Sequence, residues 1–283
     1  MNQPPAQSIS VLLNNHNLKP DKSLGQNFLS DPHILEKIVQ IAGVTSTDTV
    51  LEIGAGLGHL TAQLAEAARA VTAVELDGRF IPILSERLAP FANITLVEGD
   101  ILQLNTSDLV QDDDYLVVAN IPYYITSRIL RKLLESRLKP REIILTIQYE
   151  VARRVCAETG KLSLLALSVR MYGKPSLEMR IPAGAFFPPP KVDSAVVKID
   201  LHPDPLLPDP QREIFFQLIK AGFLHKRKTL RNSLSKGLGW APDQAVELLL
   251  NGGIDPGRRA ETLSIPEWLE LTSAYEKTHK NHL

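Results

Sequence analysis

Apolar and polar positions between Asp31 and Gln148 follow two alternating periods, and the elements they predict come in a regular order. Over 32–42, Ile34, Leu35, Ile38, Val39 and Ala42 recur at the spacing of one helix face, with Pro32 suited to the first helical position and Gly43 to the end. Five short apolar runs, 49–53, 70–75, 94–97, 115–119 and 143–148, predict strands. None of them alternates with polar residues, which is the pattern of strands covered on both faces. The segments 60–68, 79–88 and 127–138 between them predict crossover helices. Strand and helix in alternation specify an α/β, Rossmann-like layer around a mostly parallel sheet.

The pattern changes over 202–210, where four prolines and two aspartates can continue neither a helix nor a central strand. Beyond that boundary 213–224, 226–238, 242–251 and 264–275 predict helices, the last opened by a Ser264-x-x-Glu267 capping box. The expected organisation is a mobile tail over 1–20, an α/β domain over 21–202 and a smaller helical domain over 211–283. A length of 283 residues with 44% hydrophobic content suits one substantial core and a second, smaller one. The first 17 residues combine no basic start with a long apolar run, so neither a signal peptide nor a membrane span is expected. The single cysteine, Cys156, excludes an internal disulfide and a multi-cysteine zinc site; it fits a reducing cytoplasm and an apolar helix position.

Candidate chemistry gathers at the predicted strand ends. Gly54-Ala55-Gly56-Leu57-Gly58 follows the first strand, where glycines permit a tight turn and the close approach of a ligand to the backbone. His59 stands where the dinucleotide fingerprint requires its third glycine, which weakens a nicotinamide reading. Glu75, ending the next strand, offers a carboxylate to both hydroxyls of an adenosine ribose. Asp100, one element further on, can accept from an adenine amino group or cap a helix. Asn120-Ile121-Pro122-Tyr123 follows the fourth strand. An exocyclic adenine amine is a poor nucleophile because its lone pair is delocalised into the ring. The Asn120 carboxamide and the Ile121 carbonyl are suitable acceptors for its N–H bonds, and the Tyr123 ring can stack a flipped base. An ordinary Asn-x-Pro turn is the alternative, and it loses ground because the glycine loop and two acids precede it in order.

Four segments in order resemble the ribosomal RNA small-subunit adenine dimethyltransferases. Lys22-Ser23-Leu24-Gly25-Gln26-Asn27-Phe28-Leu29 is similar to the family's N-terminal motif and Asn120 to Tyr123 to its catalytic loop. The post-sheet motif is matched by Phe186-Phe187-Pro188-Pro189-Pro190-Lys191-Val192-Asp193-Ser194, and the C-terminal signature by Gly222-Phe223 with Lys226-Arg227-Lys228-Thr229-Leu230. The resemblance implies a class I methyltransferase sheet and S-adenosylmethionine held at Asn27, Leu29, Gly54, Glu75, Asp100 and Asn120. It also implies dimethylation of two adjacent adenines near the 3′ end of small-subunit (16S) rRNA, within the immature 30S subunit of the cytoplasm. No metal is expected, because a sulfonium methyl is already activated. A monomer is expected. Phe187 either packs against the base or the catalytic loop, or serves as a core aromatic.

With a net charge of -1, any surface for a polyanion must come from uneven placement of charge. Lys220, Lys226, Arg227, Lys228 and Arg231 have no acid between them. On a continuous helix Lys220, Arg227 and Arg231 would share one face and suit an RNA backbone, with Gly222 a residue that can interrupt that helix and a solvated charged face the alternative. Three other readings compete: a large-subunit rRNA adenine methyltransferase, an RNA-binding assembly factor that retains the fold, and a nicotinamide dehydrogenase.

Overall fold

Nine strands occur among the described residues, which are 9–158 and 160–280 of the computed structural model. They are β1 (Phe28–Leu29), β2 (Thr49–Ile53), β3 (Ala70–Glu75), β4 (Ile94–Glu98), β5 (Tyr115–Asn120), β6 (Glu142–Gln148), β7 (Gly173–Ile181), β8 (Phe186–Phe187) and β9 (Ser194–Leu201). Seven form one sheet in the order β4-β3-β2-β5-β6-β9-β7. The pairs β2–β3, β3–β4, β2–β5 and β5–β6 are parallel, whereas β9 runs antiparallel to β6. All five residues of β2 are buried, as are the first five of β5, because helices cover both faces. From β2 the chain winds outward through β3 and β4, then returns to place β5 on the other side. The strand order therefore reverses between the parallel strands β2 and β5, and a ligand crevice opens at the carboxyl ends of such a pair.

The helix Pro32–Ala42 is bounded as the sequence expects: Asp31 Oδ1 accepts from the amides of His33 (2.9 Å) and Ile34 (3.4 Å), and Gly43 closes it at φ 61°. The expected strands 49–53 and 70–75 match β2 and β3, and the other three expected strands are each one residue longer in the structure. The expected mobile tail is corrected over residues 9–20. Ile9–Asn15 is a helix whose Ile9, Leu12 and Leu13 are buried in the main hydrophobic core; residues 1–8 lie outside the described residues. Three apolar side chains at helical spacing anchor this segment by burial, each worth roughly 1.5–3 kcal/mol.

The chain divides into two compact units. The first runs to Ala152 and resumes over Ser176–Leu201; the second comprises Arg153–Pro175 and continues from His202. The segment 153–175 thus belongs with the helical unit, although the sequence pattern assigns it to the α/β layer. Its helix Leu164–Arg170 buries Ala166, Leu167 and Val169, and just beyond it the Tyr172 ring stacks on Phe216 at 6.1 Å between centroids. Within the second unit Trp268 is fully buried and stacks on Phe223 at 6.2 Å. A Cβ at Gly222 would come within 2.6 Å of the Trp268 ring, so this close packing requires glycine. The Ser264–Glu267 capping box forms reciprocally, the Ser264 amide donating to Glu267 Oε2 (2.7 Å) and the Glu267 amide to Ser264 Oγ (3.4 Å).

The single helix needed to put Lys220, Arg227 and Arg231 on one face does not exist. The helix Gln211–Phe223 carries Lys220 and ends before Lys226, residues 224–229 turn, and Leu230–Leu238 begins a new helix. The amides of Leu230 and Arg231 donate outside the run, to Arg258 O (2.6 Å) and Pro256 O (3.4 Å), which fixes the break. All five basic residues remain exposed.

Candidate active site

The glycine loop after β2 leads upward from the sheet. Gly54 has φ 82° and Gly56 φ 57°, the left-handed region that favours glycine. A Cβ on Gly54 would lie 3.2 Å from Asn120 O, and one on Gly56 would lie 3.2 Å from the Phe28 ring. The loop therefore lies tight against the end of β5 and against Phe28, which presents its ring edge-on to Phe80 (centroids 5.5 Å apart). Its amides turn toward β3: Gly54 N and Ala55 N donate to Val74 O (2.8 and 3.2 Å), and Gly56 N donates to Glu75 Oε2 (2.7 Å).

Glu75 is buried at the end of β3. Its second oxygen accepts from Asp77 N at 2.8 Å. Burial pushes this carboxyl above the usual carboxylate range. Each oxygen holds one backbone N–H and retains further acceptor capacity, which complements a vicinal diol. Asp100 Oδ1 caps the next turn through Leu102 N (2.9 Å), so the capping alternative holds for that oxygen. Its Oδ2 has no partner among the described residues and remains open to an amino group.

Residues 21–29 cross this crevice and are tied in place. Gln26 Nε2 donates to Asp77 Oδ2 (2.8 Å), while Gln26 Oε1 accepts from Asp21 N (2.7 Å). Asp77 is held in the ionised range chiefly by Arg79, whose Nε donates to it at 2.8 Å. Asn27 Nδ2 donates to Gly25 O (2.9 Å), and Asn120 Nδ2 donates to Asn27 O (3.3 Å). That last contact turns the Asn120 amide so that its Oδ1, without a partner among the described residues, is free to accept. The Tyr123 hydroxyl meets Ser194 Oγ at 2.6 Å, and burial raises its pKa. Ser194, at the start of β9, is fully buried, so the ring is tethered from behind by its hydroxyl.

One cleft is lined by Asn27, Gly54, Glu75, Asp100, Asn120 and Tyr123, together with Phe28, Leu76 and Tyr124. Six of the residues marked by the sequence thus meet. Leu29 does not line the cleft; it is buried in β1, paired with Phe186 of β8. Phe187 pairs with Phe28 across β1 and β8 and is 37% exposed, outside the lining, so it is not a core aromatic. Lys220, Arg227 and Arg231 belong to the second unit. Sequence reasoning missed Asp77 and quoted Gln26 and Ser194 only within motifs, without a role; their contacts reach partners 51 and 71 residues away. The cleft suits an adenosyl group: glycines clear its floor, Glu75 is a buried acceptor at the second strand end, and Asp100 Oδ2 is open at the third.

The family model described as "Ribosomal RNA adenine dimethylase" matches residues 17–277. A curated relative from Dehalococcoides mccartyi (strain CBDB1), "Ribosomal RNA small subunit methyltransferase A", is 46% identical over 265 residues, 93% of this chain and 91% of that one. A solved dimethyladenosine transferase from Plasmodium falciparum superposes with a TM-score of 0.77 at 27% identity, covering 89% of this chain and 98% of that one. The solved 23S rRNA methyltransferase ErmE superposes at 0.72 with 28% identity, covering 88% of this chain and all of that one. Since both solved proteins share the fold to a similar degree, the higher sequence identity of the curated relative and the family match carry the assignment. The family match runs through both compact units, and the chain belongs to the ribosomal RNA adenine dimethylase family.

Proposed function

We propose that this methyltransferase transfers methyl groups from S-adenosylmethionine to N6 of two adjacent adenines near the 3′ end of small-subunit rRNA. The substrate is the immature 30S subunit in the cytoplasm. The observation that carries this reading is the convergence of Glu75, Asp100 and Asn120, from three strand ends, with Asn27 and Tyr123 in one cleft of a chain of this family. Glu75 would take the ribose hydroxyls and Asp100 the adenine amino group of the methyl donor, while Asn27 and Gly54 line its backbone bed. The donor, when bound, supplies a methyl group on a positively charged sulfur. Asn120 Oδ1 and the Ile121 carbonyl accept the N–H bonds of the target amine and orient its lone pair. Tyr123, anchored by Ser194, gives the extruded base a fixed face to stack on. Lys220, Arg227 and Arg231 are assigned to the RNA backbone, and the exposed Phe187, outside the cleft lining, to a contact with the RNA.

Asn120→Ala separates binding from chemistry. Its contact with the amine develops in the reaction, so affinity for S-adenosylmethionine should stay within about tenfold while methyl transfer falls sharply. Transfer at the wild-type rate would refute the role of Asn120, and loss of cofactor binding alone would make it a cofactor residue.

Among the described residues no helix is long and apolar enough to cross a membrane.

A further inference from the structure

Tyr124 follows Tyr123 in the short 3-10 turn Tyr123–Ile125 and lines the same cleft, yet its side chain is 61% exposed. Successive side chains in such a turn diverge by about 120°, so one ring can sit inside while the next stands at the rim. Among the described residues Tyr124 makes no hydrogen bond, ion pair or ring contact. One flank of its ring is nevertheless backed by Gly25, which has φ 65°; a Cβ there would lie 3.4 Å from Tyr124 Cε1 and 3.2 Å from Pro122 Cβ. A backed ring with an open face is a platform with a fixed orientation.

A single exposed aromatic is ordinary on a protein surface. This one lines the cleft beside the ring assigned to the target base. We propose that Tyr124 stacks on the base adjoining the target adenine, an inference that rests on the RNA-methylation reading. Extruding a base removes the stacking that its neighbour enjoyed as well. A ring that restores a stack to that neighbour lowers the cost of exposing the target. Base–aromatic stacking contributes enough per base to be measured.

The test uses small subunits reconstituted with transcribed, unmethylated rRNA carrying either adenine or uridine beside the remaining target adenine. Wild type, Tyr124→Ala and Tyr124→Phe are compared. With adenine as the neighbour, Tyr124→Ala should raise KM about tenfold with a smaller change in kcat, and Tyr124→Phe should stay near wild type because the ring is kept. With uridine, a poorer stacking partner, the Ala substitution should cost less. Unchanged melting temperatures verify that the variants fold, as expected for so exposed a side chain. Equal KM for wild type and Tyr124→Ala on the adenine substrate, or an equal penalty on both substrates, overturns the inference and leaves the methylation reading standing. No transfer by the wild type to any adenine removes that reading and the inference with it.

Discussion

Replacing Glu75 by Ala would leave the amides of Gly56 and Asp77 without acceptors, at roughly 1–3 kcal/mol each, so Glu75→Gln is the more informative variant. It keeps one carbonyl acceptor but cannot take two hydroxyls as a carboxylate does. A ligand at about 100 times its Kd stabilises a fold by about 2.7 kcal/mol. Most of the rise in Tm with S-adenosylmethionine should therefore disappear in Glu75→Gln, and an undiminished rise would remove the ribose assignment. Tyr123→Phe preserves the stacking ring but strips the fully buried Ser194 Oγ of its partner. Stability should drop by roughly 1–3 kcal/mol, with transfer impaired less than in Tyr123→Ala. Equal inactivity of the two variants would assign the work to the hydroxyl. Glu52, buried within β2, is pushed up to about 8 by burial, with the charge of Glu75 acting in the same direction. The folded state then holds a proton that the unfolded chain releases near pH 4.5, so stability declines as pH rises from there to about 8. In denaturant titrations Glu52→Gln should flatten that decline; an unchanged profile would show that Glu52 is ionised in the fold.

At the scale of elements, the basic run tests whether a surface that is not one helix can still serve as one interface. Arg227 lies in the turn 224–229 and Arg231 in the helix Leu230–Leu238, both exposed. Each phosphate contact contributes roughly 0.7–0.9 to the slope of log affinity against log salt. Arg227→Ala with Arg231→Ala should weaken binding to a small-subunit rRNA fragment at low salt and flatten the slope by up to about twice that amount. An unaltered slope would return the run to a solvated charged face. The sequence pattern already separates 213–224 from 226–238 but starts the second helix four residues too early; the break extends over 224–229. Its cause is backbone bonding to Pro256 and Arg258, some 25 residues on. By contrast β2, β3 and Pro32–Ala42 were legible to the residue, since apolar runs, Asp31 and Gly43 mark their ends locally. β9 carries a comparable apolar run, Ala195-Val196-Val197 with Ile199, and was missed behind the prolines that precede it. β1 and β8, two residues each, have no periodicity to read.

At the scale of the whole molecule, the sequence marks which strand-end residues share a cleft better than which segment belongs to which unit. Residue type and strand-end position sufficed to mark Gly54, Glu75, Asp100 and Asn120, which the fold brings into one cleft, whereas Asn27 entered only through the family resemblance. Gln26, Asp77 and Ser194 became visible once distant segments were brought together. The assignment of 153–175 to the second unit depends likewise on contacts such as Tyr172 with Phe216, far apart in sequence. The central claim is that this cleft methylates adenine in small-subunit rRNA. Its most direct test is to incubate the protein with labelled S-adenosylmethionine and either undermethylated small subunits or large subunits, then map the label by nuclease digestion and mass spectrometry. The account predicts N6,N6-dimethyladenine at two adjacent positions near the 3′ end of the small-subunit rRNA and no label in the large subunit. Label confined to large-subunit rRNA, or binding to small subunits without any transfer, would contradict it.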